Sequence, residues 1–315
     1  MTISVKSENA GKRVTALVAA PKVESVHQFV KLIMETKISG ADPTAFRGQK
    51  NFSWKGLAPI FRPGERLVEH EREMVRELIS VHPQEFQQDS TMFDRLVRMQ
   101  HYGLPTRLLD VTLNPLVALF FASQDYFDET KRDGKIIKTP RDGKVIIYRV
   151  PDDRSKFYDS DTVACVANLA NLPYSEKKAI QKFGEMSTGS FNGKSELKNL
   201  LNYIELERPM FQPRIEPISL YRPIFVRPKN NNRRIIAQAG AFIVYGLEAT
   251  GDSKPYDTTI RQKVIRVPAD KKPEIREQLG RLGIDASVLF PELDKASDII
   301  AAKYRKRADD LLNLI

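Results

Sequence analysis

Three features of this 315-residue sequence predict an α+β fold. Apolar residues recur at helical spacing in several separate stretches, short alternating segments stand between them, and glycine, proline or Asn-Pro marks most of the joins. At roughly 150 residues per domain, the length allows one large domain with an insertion or a small companion.

The elements follow in order. Residues 1–22 read as a flexible lead-in. From Ser25, a serine N-cap, Val26, Phe29, Val30 and Ile33 repeat at helical spacing. After the Gly40-Ala41-Asp42-Pro43 turn signal, Ala45 to Gln49 reads as a short strand with Arg47 near its end. Two amphipathic helices follow, one through Leu67, Met74, Val75, Leu78 and Ile79, the other through Phe93, Leu96 and Val97 from near Ser90. Gly103 and Pro105 stop the second. Leu108 to Thr112 alternates apolar and polar side chains, which puts Asp110 and Thr112 on one face of a strand. Asn114-Pro115 supplies an N-cap and a proline at the first position of a helix that is apolar nearly all round and therefore buried. Residues 128–144 read as a polar, basic loop or hairpin, and Val145 to Val150 as a strand. The stretch 151–220 is a weakly patterned insertion. Arg234 to Gly246 reads as a strand bent at Gly240, Lys263 to Val267 as another, and Ile275, Leu279 and Leu282 as a helix, with a last helix after Phe290-Pro291-Glu292-Leu293.

Composition excludes several classes. Fifty Lys and Arg against 40 Asp and Glu give a net charge of +10, with 41% hydrophobic and 29% charged residues, so the chain is globular and moderately basic. That balance makes a polyanion a plausible partner without requiring one. One cysteine, Cys165, cannot form an internal disulfide, and the four histidines are scattered, so neither a disulfide framework nor a structural zinc is expected. The longest strongly apolar run, Leu116 to Ala122, is far short of the roughly 20 residues that span a bilayer. We expect no membrane segment and a cytoplasmic protein.

The commonest catalytic motifs (a Walker A loop, G-x-G-x-x-G, H-E-x-x-H and G-x-S-x-G) are absent. Three polar sets embedded in apolar sequence remain: Phe46-Arg47-Gly48-Gln49, the loop and strand from His101 to Asn114, and Gln238-Ala-Gly240-Ala-Phe242. The bland readings stand beside the functional ones. Arg47 can simply pair with Asp110, His101 can cap its helix, Asn114 can be only an N-cap, and Gln238 can only bond a strand edge. A fourth set is basic: Arg222, Arg227, Lys229, Arg233 and Arg234, interleaved with Tyr221, Phe225, Phe242 and Tyr245. Phosphate contacts beside base-stacking aromatics are how single-stranded nucleic acid is commonly held. The alternative is a solvated loop between strands whose aromatics are core.

Phe46-Arg-Gly48, the long motif Gln100-His-Tyr-Gly-Leu-Pro-Thr-Arg-Leu-Leu-Asp110-x-Thr112 with Asn114-Pro-Leu-Val-Ala-Leu-x-Phe-Ala122, and Gln238-x-Gly-x-Phe242 together resemble the FRG-domain family. The resemblance runs from about residue 25 to about 300. A weaker resemblance is to ADP-ribosyltransferases of the Arg-Ser-Glu type. There, an aromatic-Arg-Gly strand end precedes a Ser-Thr-Ser strand, an Asn-Pro-x-Val-Ala helix and a strand bearing Glu. It implies a split, curved β-sheet core flanked by helices, with residues 23–300 as one domain, 151–220 inserted in it and 301–315 a C-terminal helix. It also implies NAD as cofactor, with Arg47, His101, Asp110 and Gln238 as catalytic residues. Phe46, Arg47, Gly48, Gln49, His101, Tyr102, Thr106, Arg107 and Thr112 would hold the dinucleotide. An arginine can give a pyrophosphate two parallel hydrogen bonds, and a carboxylate can stabilise the oxocarbenium-like state as the nicotinamide bond breaks. Gln238 departs from the pattern, because an amide cannot act as a base: either Asp110 or Glu248 takes that role, or transfer needs no strong base, or the activity is lost. The resemblance implies a toxin-like effector, as in phage defence or toxin–antitoxin loci, acting on a macromolecule with RNA as the preferred acceptor and held in check by a neutralising antitoxin protein. The competing class is a non-catalytic nucleic-acid or protein binding module. A catalytic cleft would gather Arg47, His101, Asp110 and Gln238 around a cavity of roughly 300–1,000 Å³, whereas a binding module would bury them or show a flat basic face.

Overall fold

The structure is a computed structural model that describes residues 20–132, 135–247 and 260–291. Local signals set the first elements. Helix α1 (Val26–Glu35) starts where the Ser25 hydroxyl accepts the Gln28 amide. Strand β1 (Ala45–Gln49) follows, then α2 (Glu71–Val81) and α3 (Met92–His101), the latter capped by Thr91 rather than Ser90. Gly103, at φ +92°, makes the turn toward β2 (Leu108–Thr112). The Asn114 side chain accepts the Leu116 amide and opens α4 (Pro115–Ala122). Strands β3 (Phe127–Arg132) and β4 (Lys135–Pro140) form a separate hairpin, and β5 (Gly143–Arg149) returns to the main sheet.

The 151–220 stretch, unreadable in the sequence, contains strand β6 (Ser155–Phe157) and four helices: α5 (Asp161–Ala167), α6 (Tyr174–Gln181), α7 (Thr188–Asn192) and α8 (Lys198–Glu207). Strand β7 (Ile224–Arg227) leads into a segment that corrects the sequence reading. Residues 234–246 are not one bent strand. Helix α9 (Arg233–Ala237) comes first, because the Asn232 side chain accepts the Arg234 and Ile235 amides, and β8 (Gly240–Val244) follows only after Ala239 turns the chain at φ +45°. Strand β9 (Arg261–Val267), α10 (Lys272–Arg281) and α11 (Ala286–Leu289) complete the described chain. The lead-in ends earlier than residue 22, since Arg266 donates its amide to Pro21 and accepts that of Val23. Residues 1–19, Glu248 and the proposed helix at 301–315 lie outside the described residues.

Seven strands form one mixed sheet in the order β6-β7-β8-β2-β1-β5-β9, parallel between β6 and β7 and antiparallel elsewhere. The α+β class is as the sequence predicts. Strand β1 shares five register pairs with β5, and β2 shares five with β8, but β1 and β2 share only Phe46–Thr112. The sheet therefore opens at its centre. On one face, α2, α3 and the inserted helices pack on Leu108, Val226, Phe242 and Val244, while α1, α4 and α10 pack on Phe46, Val145, Ile147 and Ile265. The other face buries Leu109, Val111, Ile146, Phe225 and Ile243 with Ala58. Helix α4 comes unusually close to the sheet: a Cβ on Gly48 would lie 1.9 Å from the Ala118 carbonyl oxygen, and one on Gly143 would lie 1.9 Å from that of Ala122.

Candidate functional site at the sheet opening

A cleft of about 260 Å³ opens where the two helical layers part above the β1–β2 junction. Asp110, Thr112 and Gly240 contribute from the sheet, Gln100 and His101 from the end of α3, Phe121 from α4, and Arg234 and Gln238 from α9 and its turn. Strand alternation explains Asp110, the only exposed residue of β2, with its side chain 61% accessible. Arg47, 16% accessible, spans the opening. Its Nη1 donates to the Asp110 carbonyl at 2.5 Å and stands 3.9 Å from the carboxylate. The arginine thus ties β1 to β2 where the ladder does not, and it also lines the cleft.

Hydrogen bonds set the far wall. The Thr112 hydroxyl donates to the Gln238 carbonyl at 2.7 Å and accepts the Asn114 amide at 3.0 Å, joining β2, α4 and the α9 turn. The Gln238 side-chain amide donates to the Leu289 carbonyl at 2.9 Å, and Arg234 stacks over Phe290 at 5.0 Å. Two buried donors of cleft residues, Arg47 Nε and Gln100 Nε2, have no acceptor among the described residues. Such donors can take an acceptor from a ligand or from water. The charge of Arg47 reaches further. Burial first and then Arg47 lower the pKa of Arg62, against which Asp110 acts, and the same two causes bring Lys144 down to about 8.

Of the residues proposed from sequence, Phe46, Arg47, Gly48, His101, Asp110, Thr112, Arg234 and Gln238 line this one cleft. Gln238 does so from a helix turn and not from a strand. Four others do not line it. Gln49 is buried and donates to the Lys55 carbonyl at 3.3 Å. The Thr106 hydroxyl donates to Gln100 Oε1 and accepts the Leu108 amide at 3.1 Å. Tyr102 is 65% exposed, with its ring edge-on to His101. Arg107 is fully buried, bonded through Nε and Nη2 to Glu71 and through Nη1 to the carbonyls of Tyr245 and Gly246.

The basic set does not form one platform. Arg222 lines a different pocket, Lys229 pairs with Asp94 at 2.9 Å, Arg227 stacks over Phe157, and Arg233 is exposed. Phe225, Phe242 and Tyr245 are core residues and Tyr221 donates its hydroxyl to the Gln181 carbonyl, so these aromatics present no free faces to stacking bases. Sequence reasoning missed Gln100 and Phe121 as cleft residues. The signal for Gln100 was present, since Val97, Gln100 and His101 stand at i, i+3 and i+4 on one face of α3.

The fold and this cleft define an α+β protein with a cleft of mixed polar and apolar lining at the opening of its central sheet. Residues 42–131, from just before β1 through β3, match the family model of the FRG domain, and the chain carries that domain. The match includes Arg47, His101 and Asp110 but ends before Gln238. No curated protein and no solved structure matches the chain. No helix among the described residues is long and apolar enough to cross a membrane.

Proposed function

We propose that the cleft binds NAD and transfers ADP-ribose from it to a macromolecule. The observation that carries this reading is the convergence of Arg47, His101, Asp110 and Gln238, from three separate stretches of sequence, on one cavity. The cavity, at about 260 Å³, falls just below the ~300–1,000 Å³ of typical ligand pockets, which suits the ribose-diphosphate part of a dinucleotide with the remainder along the open rim. The acceptor-less donors of Arg47 and Gln100 suit an oxygen-rich ligand. In such a transfer nicotinamide leaves with the electron pair of its bond to C1′, and an acceptor oxygen or nitrogen takes its place. Asp110 supplies a carboxylate to face the positive charge that develops there, and Arg47 supplies the diphosphate anchor. Asp110 is the one carboxylate among the described lining residues, and the Gln238 amide donates to the Leu289 carbonyl. Nucleic acid is the first acceptor to test, on the net charge of +10 and on Arg234 at the cleft. A toxin-like role with a neutralising partner rests on the sequence resemblance alone.

The test is incubation with labelled NAD and, separately, RNA, single-stranded DNA and cell extract, using wild type, Arg47→Ala and Asp110→Asn. Label on one acceptor with wild type, and on none with the folded variants, is the expected result and names the substrate class. A folded wild type that neither transfers label nor releases nicotinamide overturns the proposal. The second reading, a binding module, would then take its place, because Arg47 already bonds the Asp110 carbonyl and Gln238 that of Leu289.

A further inference from the structure

Between β7 and α9 runs the stretch Arg227-Pro-Lys-Asn-Asn-Asn-Arg-Arg234, which holds four cations and no carboxylate. Its two ends lie at different places on the sheet. Arg227 ends β7 and stands in register with Phe157 of β6, the edge strand, while Asn232 and Arg234 line the cleft. Lys229 pins the middle. Its Nζ donates to Asp94 at 2.9 Å and to Ser90 at 3.3 Å, at the start of α3, and lies 4.9 Å from the centroid of the Tyr158 ring. Lys229 is therefore an anchor, and the three arginines are left. Arg227, Arg233 and Arg234 have no carboxylate partner among the described residues, and Arg227 and Arg233 are exposed. Of the carboxylates on β2, α3 and the turn after β6, Asp94 pairs with Lys229 and Asp110 faces Arg47, so Asp159 alone is unpaired among the described residues. At the far end of the stretch Phe157 is 59% exposed, with the Arg227 guanidinium 5.8 Å from its ring centroid. Phe157 belongs to none of the buried clusters, so the fold makes no use of its ring as core.

We propose that this stretch guides single-stranded RNA from Phe157 to the cleft, with one base stacked on Phe157 and phosphates on Arg227 and Arg233. The proposal names the acceptor for the transfer reading and rests on that reading where the strand enters the cleft. The seven residue steps from Arg227 to Arg234 span at most about 25 Å, so the path is short and continuous along one piece of chain. Arginine meets phosphate oxygens through paired N–H groups, and every base can stack on an aromatic ring. A base reaches Phe157 only when it is unpaired, which selects a single strand over a duplex. Asn230 and Asn231, exposed between the arginines, each offer a donor and an acceptor to a ribose 2′-hydroxyl, the group that DNA lacks. The Lys229 anchor holds the stretch in place before RNA arrives, which lowers the ordering cost of binding. The stacking residue thus comes from β6 and not from the aromatics interleaved with the basic set in the sequence.

The experiment is fluorescence anisotropy of the full chain, without NAD, on a labelled single-stranded RNA of about ten nucleotides, the DNA of the same sequence and the RNA duplex. Wild type, Phe157→Ala, Phe157→Tyr, Arg227→Ala and Arg233→Ala are compared, all at exposed positions. We expect the single-stranded RNA to bind wild type more tightly than the DNA or the duplex. Phe157→Ala should weaken it about tenfold, as for a lost base stack, and Phe157→Tyr should keep it. Each arginine variant should lower the slope of log affinity against log salt by about 0.7, the value of one phosphate contact on a single strand. Nicotinamide release by Phe157→Ala and Arg227→Ala should stay at the wild-type rate while label on RNA falls. No RNA binding by folded wild type, an affinity unchanged by Phe157→Ala, salt slopes unchanged by both arginine variants, or DNA or duplex binding as tightly as RNA would each overturn the proposal. RNA binding without nicotinamide release would overturn the transferase reading alone, and nicotinamide release without RNA binding the RNA path alone.

Discussion

Arg107 shows how a side chain inside a motif can serve the fold. It lies beside the strand that carries Asp110, yet it bonds both oxygens of Glu71 while Lys177 Nζ reaches the same carboxylate at 2.5 Å, with all three residues buried. Burial alone would raise the Glu71 pKa, but Arg107 and Lys177 bring it to about 2. Removing one partner of such a buried network costs about 3–5 kcal/mol, because the remaining charges stay buried without compensation. Arg107→Met should therefore lower the urea-unfolding free energy by about that much. Arg107→Lys should also destabilise, since it keeps the charge and loses the planar fork that meets two carboxylate oxygens. A loss below about 1 kcal/mol would mean that the network contributes little net stability. A second residue gives a pH dependence. Lys144 is buried, donates to the Trp54 carbonyl, and has its pKa lowered from 10.5 to about 8. Between those values the unfolded chain keeps the proton and the folded one releases it, so this residue makes stability rise with pH from about 8 to 10.5. Unfolding midpoints at pH 8 and pH 10 should show a smaller rise for Lys144→Met than for wild type; equal rises would refute the assignment. Arg47 and Asp110 were legible because each is a charged residue embedded in otherwise apolar strand sequence. Arg107 was not, because its partners are Glu71, 36 residues away, and Tyr245, 138 away.

Among the elements, α4 was the most legible, since Asn114, Pro115 and the apolar run are all local signals. What its sequence does not reveal is why a glycine precedes it by so many residues. Gly48 is required by packing, whatever else it does: its neighbour across the interface is the α4 backbone, which cannot move aside as a flexible side chain could. Gly48→Ala should destabilise by at least the ~1–3 kcal/mol of a typical overpacked site and should disturb the cleft, which both Gly48 and Phe121 line. Asn114→Ala is the milder comparison, at about 1 kcal/mol for a lost N-cap. Thermal melts of the two variants should rank in that order, and a Gly48→Ala protein as stable as wild type would show that α4 has room to withdraw. Helix α9 was missed for the opposite reason. Its paired isoleucines favour a strand by propensity, but the Asn232 cap and the turn at Ala239 prevail, so Ile235 is buried and Ile236 exposed on one short helix. Gln238 reached the cleft although the element bearing it was misread, because the turn brings it back to Thr112.

For the whole molecule, the segment 151–220, a weakly patterned insertion in the sequence, supplies part of the shared core. Its apolar residues are not periodic over long stretches because the segment consists of short helices that contribute between one and five buried side chains each to a shared core; Leu200, Ile204 and Ile180 share it with Leu108, Val226, Phe242 and Val244. Lys177 of α6 completes the Glu71–Arg107 network, and Glu207 of α8 accepts the Met92 amide at the start of α3, the helix that carries Gln100 and His101 to the cleft. The segment is thus half of the cover on the sheet face that holds the cleft. The β3–β4 hairpin is the contrasting case. It belongs to no larger sheet, and every residue of β4 is exposed. Two deletions distinguish an integral part from an appended one. Replacing residues 129–138 by an Asn-Gly turn should leave the melting temperature and the cooperativity of unfolding close to wild type. Replacing 153–219 by a flexible linker should abolish cooperative melting, because Leu108, Phe242 and Val244 would be left facing water and Glu71 would lose one of its two cations. A cooperative melt from the second deletion would mean that the sheet with α1 to α4 folds alone. The cleft would then belong to that smaller unit.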